Sequence, residues 1–140
     1  MYKVLAAIDG SAHADRAIGQ LLKLSASGVT LELLLLNVQP EIVDWQTHGL
    51  ATESMLMHRN ELGQQATEGA RKRLDDAGVA WRLRIELGDP ARTIAAVAAD
   101  ERCDCILMGT RGAGALPGLI LGSVASNVVH LAEVPVMLVK

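Results

Sequence analysis

Apolar positions along this chain alternate between short strand-like runs and spacings that suit a helix. Residues 3–8 form a short apolar strand. Ser11 is placed to cap a helix whose apolar positions Ala14, Ala17, Ile18, Leu21 and Leu22 fall at helical spacing, and Gly28 stops it. Residues 30–38, TLELLLLNV, are almost continuously apolar, as a parallel strand covered on both faces should be, and Pro40 ends the run. Residues 41–52 are polar and irregular and contain Trp45 and Gly49; a long helix is expected over residues 53–77, closed by Gly78. Residues 81–87 alternate strictly, with Trp81, Leu83, Ile85 and Leu87 against Arg82, Arg84 and Glu86, which predicts a half-exposed strand at a sheet edge. Asp89 and Pro90 open the next helix as cap and first residue, and Ile94, Val97 and Ala98 form its buried face. A strand over 103–108, a glycine-rich loop, a helix over 123–132 and a strand over 134–139 complete the chain.

Five strands and four helices in alternation predict one α/β domain over residues 1–140, an open parallel sheet with helices on both faces, Rossmann-like in type. With the third strand at an edge and the first and fourth central, the order is 3-2-1-4-5. Ligands in such sheets bind beyond the carboxyl ends of the strands where the order reverses. Asp9 follows strand one and Gly109 follows strand four, so two features far apart in sequence converge on one crevice.

Composition narrows the ligand class. Half of the 140 residues are apolar, so a packed core is expected. The only aromatics are Tyr2, Trp45 and Trp81, which argues against stacking on single-stranded nucleic acid. A net charge of −3 with scattered arginines gives no nucleic-acid footprint. No apolar run is long enough to span a membrane and the N-terminal residues carry no leader pattern, so a cytoplasmic protein is expected. Cys103 and Cys105, expected on one face of a strand, are read as small core residues, since no further ligand lies at metal-binding spacing.

The loop GTRGAGALPGLILGS, residues 109–123, places Gly109, Gly112 and Gly122 at the spacing G-x2-G-x9-G, followed by Ser123. A glycine-rich turn entering a helix presents backbone N–H groups to an anion. Gly109 is expected to turn the chain off the strand with an unrestricted φ, and Gly112 to let a ligand approach the backbone. Gly122 is expected to leave its N–H open to phosphate, with the Ser123 hydroxyl beside it. The glycines alone fit a long turn without a ligand equally well. A P-loop is excluded because no Lys separates Gly122 from Ser123, and a dinucleotide fingerprint from Gly112 and Gly114 is excluded by Pro117. Arg111 is the only cation in the loop, placed either on a phosphate or in solvent.

Together the segments VLAAIDGS, LLLLNV, GDPARTI, GTRGAGALPGLILGSVAS and PVMLVK resemble the ATP-binding subgroup of the universal stress proteins over the whole chain. The resemblance implies a cytoplasmic, usually homodimeric stress-response module that binds ATP, or ADP or AMP, with Mg²⁺ or Mn²⁺ held through the phosphates. It implies that Asp9 lies near the ribose, that the backbone around Val38 meets adenine, and that Gly109, Gly112, Gly122 and Ser123 cradle ribose and phosphates. Ile8, Met108, Arg111 and Val124 complete the set of candidate binding residues. The residues themselves leave Asp9 open as a ribose ligand, a Mg²⁺ ligand or a turn residue.

No nucleophile–base pair or carboxylate pair can be placed, so no catalytic residue is assigned and at most slow ATP hydrolysis is expected. The alternative is a weak ATPase or another adenine-nucleotide enzyme of this fold group. His13, His48 and His58 are expected at the surface, His130 in a structural role, and Trp45 and Trp81 in packing. The last strand, Val134 to Val139, is apolar on both faces, and pairing of this edge with a second copy would cover it in a two-fold dimer.

Overall fold

The computed structural model describes residues 1–40, 52–112, 117–118 and 120–140. The expectations attached to Trp45, His48, Gly49 and Gly114 lie outside the described residues. In chain order the elements are β1 (Tyr2–Ala7), α1 (Ala12–Ala26), β2 (Leu31–Gln39), α2 (Thr52–Asp76), β3 (Trp81–Leu87), α3 (Pro90–Asp100), β4 (Cys105–Gly109), α4 (Ser123–Leu131) and β5 (Val136–Val139). All strand pairs are parallel and the sheet order is β3-β2-β1-β4-β5.

Strand alternation divides the sheet's side chains into two cores. Val4, Ala6, Leu33, Leu35 and Leu107 face Ala14, Ala17, Ile18 and Leu21 of α1 and Ala70 and Leu74 of α2. Leu5, Leu34, Leu36, Ile106 and Met108 face Ala91, Ile94, Val97 and Ala98 of α3 and Ala125 and Val128 of α4. The run LLLL of β2 is therefore continuous because successive leucines serve opposite cores. Each fully buried Leu or Ile contributes roughly 1.5–3 kcal/mol from water exclusion.

β3 is the edge its alternation predicts. Trp81 and Leu83 pack on the first core, and the Trp81 indole N–H donates to Asp75 at 2.7 Å. Ile85 lies against α2 at Gly63, where a Cβ would stand 2.6 Å from it. On the other face Arg82 and Arg84 reach Glu101 at the end of α3, both at 3.0 Å, and Lys3 reaches the same carboxylate at 3.3 Å. These three cations, their hydrogen bonds most of all, hold the Glu101 carboxyl at about 2. Ionic pairing thus covers the part of β3 that the helices do not.

Helix ends follow the local chemistry. The Ser11 hydroxyl accepts from the Ala14 N–H at 3.1 Å and the Asp89 carboxylate accepts from the Arg92 N–H at 3.0 Å. Gly28, at φ 97°, ends α1.

Two strands start later than expected: β5 begins at Val136 rather than Val134, and β4 at Cys105 rather than Cys103. Cys103 does not belong to β4, because α3 closes with Arg102 in the left-handed region at φ 55° and the Cys103 N–H donating to the Ala98 carbonyl. That is a helix-terminating motif in which Arg stands where glycine is usual, so the sequence carries no signal for it. Cys103 packs into the α3–α4 core, whereas Cys105 alternates with Ile106 and faces the other way, so the two thiols do not share a face. Burial raises both thiol pKa values, which keeps them protonated and inert.

Candidate functional site

A crevice opens beyond the carboxyl ends of β1 and β4, the two central strands, between the starts of α1 and α4. It spans ≈ 630 Å³ counting the space open to solvent. Its floor is apolar: Ala7, Leu36, Val38, Ile94 and Met108. Its polar groups gather toward the glycine loop: Asp9, Ser11, Arg111 and Gly112.

Of the residues singled out in the sequence, Ile8, Asp9, Val38, Met108, Gly109, Arg111, Gly112 and Val124 line this crevice. Gly122 and Ser123 do not line it; they form the mouth of α4, whose next residues Val124 and Ala125 do. Ala7, Ser11, Ala14, Leu36, Pro90, Ile94 and Ala125 also belong to the lining, although the sequence did not assign them to the site. Their small or apolar side chains resemble core residues and gave no chemical signal.

Gly109 and Gly122 act differently from expectation. Gly109 has no positive φ; it ends β4 in contact with α1, and a Cβ there would stand 2.6 Å from the His13 Cβ and 2.8 Å from the His13 carbonyl carbon. A Cβ on Gly112 would stand 2.7 Å from an Asp9 carboxylate oxygen, so the loop closes on Asp9 itself. The Gly122 N–H is not open, because it donates to the Thr110 carbonyl at 2.7 Å. Gly122 is instead the N-cap of α4, with extended backbone and no side-chain hydrogen bond to the helix. The N–H groups of Ser123, Val124 and Ala125 therefore have no intrahelical acceptor, and no side chain of the cap replaces one. α1 and α3 have their caps; α4 is left open at the crevice.

Asp9 accepts the Ser11 N–H at 2.9 Å, which fixes one carboxylate oxygen over the start of α1. The Arg111 Nε is buried with no hydrogen-bond partner among the described residues, which is costly for a guanidinium unless an acceptor reaches it. His13, expected only as a surface residue, lies half-buried against Gly109. Its Nδ1 accepts from Arg16 Nη2 at 2.6 Å, and Arg16 Nε donates to the Lys140 carbonyl at 2.8 Å. Desolvation, then the charges of Arg16 and Arg111, lower the His13 pKa and favour neutral imidazole. Thr110, also not foreseen, is buried and ties the loop to β5 through its N–H to the Val139 carbonyl at 2.9 Å. His58 is exposed as expected; His130 is also exposed, in the last turn of α4, and has no packing role.

Among the described residues no helix is long and apolar enough to cross a membrane, and no group of three His, Cys, Asp or Glu is placed to hold a metal.

The model of the universal stress protein family matches residues 1–140. A universal stress protein of Thermus aquaticus, encoded in a QAH/OAS sulfhydrylase 3′ region, is 35% identical over 142 residues that cover 100% of both chains. The solved structure of the hypothetical protein MJ0577 superposes with a TM-score of 0.87 at 29% identity, covering 99% of this chain and 95% of that one. A universal stress protein family protein of Arabidopsis thaliana, solved with AMP bound, superposes with a TM-score of 0.70 at 24% identity, covering 100% and 92%.

Proposed function

The chain belongs to the universal stress protein family, and from that premise we propose that its crevice binds an adenine nucleotide, with ATP as the ligand and regulation rather than catalysis as the purpose. The observation that carries this reading is the uncapped N-terminus of α4, which opens on a large crevice at the reversal of strand order. The N–H groups of Ser123, Val124 and Ala125, which have no intrahelical acceptor, and the Arg111 Nε, without a partner among the described residues, fit a polyanion. The apolar floor around Val38 and Met108 fits a purine ring, and Asp9 stands between floor and loop, where a ribose hydroxyl would meet its carboxylate. The Arabidopsis neighbour, which shares the fold, holds AMP.

A divalent cation, Mg²⁺ or Mn²⁺, would supply charge neutralisation and would be carried by the phosphates, since Asp9 is the one carboxylate among the described lining residues. The described lining offers neither a lysine nor a carboxylate pair to drive phosphoryl transfer. Main-chain donors suit retention of the nucleotide, so hydrolysis is expected to be slow and the protein to act in the cytoplasm through its nucleotide state on other proteins. The exposed Met137 on β5, at an open apolar edge, supports a dimer formed by pairing that edge with a second copy.

Mass spectrometry of the purified protein and calorimetric titration of ATP, ADP and AMP with Mg²⁺ test the reading. Saturable ATP binding, weakened in Asp9→Ala, is expected; no retained nucleotide and no binding heat would overturn it. Fast steady-state phosphate release would favour the ATPase alternative, and a monomer by light scattering at micromolar concentration would remove the dimer.

A further inference from the structure

Asn37 interrupts the apolar face of β2. It is 1% exposed and follows Leu33 and Leu35 on the side that packs against α1 and α2. A leucine, with the same branching, would occupy the position without the cost of burying an amide. The amide is instead engaged at both ends: Nδ2 donates to the Ile8 carbonyl at 2.7 Å, and Oδ1 accepts from Gln39 Nε2 at 2.6 Å.

The partner of that first bond gives it a purpose. Pairing of β1 with β2 ends at Ala7 opposite Leu36, and the Ile8 N–H still donates to the Leu36 carbonyl at 2.9 Å. Asn37 takes the next backbone group, the carbonyl of the peptide joining Ile8 to Asp9. A peptide is planar, so fixing that oxygen fixes the direction in which the Asp9 N and Cα leave β1. One residue later the chain turns at Gly10, φ 85°, and the Ser11 N–H takes the Asp9 carboxylate at 2.9 Å. Asp9 is thus held at its peptide by Asn37 and at its side chain by Ser11.

We infer that Asn37 is a positioning residue for the Asp9 carboxylate and thereby sets how sharply the site distinguishes ribose from deoxyribose. The inference rests on the nucleotide reading above for its functional half. Its structural half is independent of any ligand.

The experiment compares wild type with Asn37→Leu in two measurements. In the ligand-free protein, amide exchange by NMR should show the Ser11 N–H opening about tenfold more readily, the equivalent of one hydrogen bond, while the Arg92 N–H on Asp89 at the other capped helix is unchanged. By calorimetry wild type should prefer ATP to 2′-deoxy-ATP by about tenfold, and Asn37→Leu should bind both alike. A purely structural Asn37 would lower the melting temperature and move neither quantity. Equal slowing or quickening of Ser11 and Arg92, or a preference retained in Asn37→Leu, overturns the inference. If wild type binds neither nucleotide, the nucleotide reading fails and Ser11 exchange alone decides the role of Asn37. Should Asn37→Leu not fold, Asn37→Asp serves, since it keeps the size and its carboxylate cannot donate to the Ile8 oxygen.

Discussion

Ser123→Asp separates the demands of the fold from those of the ligand, because the two respond with opposite sign. Ser123 is exposed at the first position of α4, the helix has no acidic residue in its first turn, and its cap Gly122 contributes no side-chain hydrogen bond. A carboxylate there meets the positive end of the helix dipole and stabilises the ligand-free protein by about 0.3–1 kcal/mol. For a domain of this size that is a rise in melting temperature of about 1–4 °C. The same carboxylate would stand about 6 Å from a phosphate held by the Val124 and Ala125 N–H groups, and the repulsion between unit charges is about 0.7 kcal/mol at a dielectric of 80 and about 2.8 kcal/mol at 20. ATP affinity should therefore fall about 3- to 100-fold, and less at high salt. Thermal unfolding of the ligand-free protein and calorimetric titration with ATP at two salt concentrations provide the assay. A more stable variant that binds ATP as tightly as wild type would place the phosphates elsewhere. A less stable variant would refute the account of the uncapped helix.

Three further outcomes follow from the same geometry. Gly109→Ala drives a Cβ to within 2.6 Å of His13, so α1 or β4 must shift; a loss of about 1–3 kcal/mol by denaturant titration is expected, and an unchanged midpoint would contradict the close contact. Glu101 has a folded pKa of about 2 against an ordinary value of 4.5, so its contribution is complete above pH 4.5 and disappears as the pH falls toward 2. Glu101→Gln should accordingly flatten the acid limb of the stability curve over that window, and superimposable acid limbs for the two proteins would show that the Lys3, Arg82 and Arg84 contacts do not persist in solution. Asp89→Ala removes the cap of α3 and should cost about 1 kcal/mol, seen as a lower melting temperature; no change would mean that water replaces the carboxylate at Arg92 without loss.

The strand order was legible because β2 and β3 carry opposite patterns: LLLL must be covered on both faces, and the alternation in WRLRIEL must lie at an edge. The position of the crevice followed from that order and the places of Asp9 and Gly109. What could not be read was how the glycines serve it. Their spacing marks a loop, but whether glycine is needed for φ, for a ligand or for a neighbouring side chain depends on contacts with His13 and Asp9, about a hundred residues away in the chain. Arg102 ending α3 in a left-handed conformation and Asn37 holding the Ile8 peptide were equally hidden, the first because the residue type is unusual there, the second because an isolated Asn in an apolar run does not reveal its partner.

The place of β1 in the sheet has a consequence for how the protein is made. β1 is synthesised before the other four strands, yet one of its two neighbours, β4, lies far down the chain; the Lys3 N–H bonds to Asp104, a separation of 101 residues. At translation rates of about 5–20 residues per second, one side of this central strand stays unpaired for about 5–20 s. During that interval an apolar edge that the finished molecule conceals is exposed to other nascent chains. The crevice, built from the residues after β1 and those after β4, can form only once that edge has closed. Ligand capture would then mark the end of vulnerability, and a nucleotide present during synthesis would favour chains that have completed the sheet.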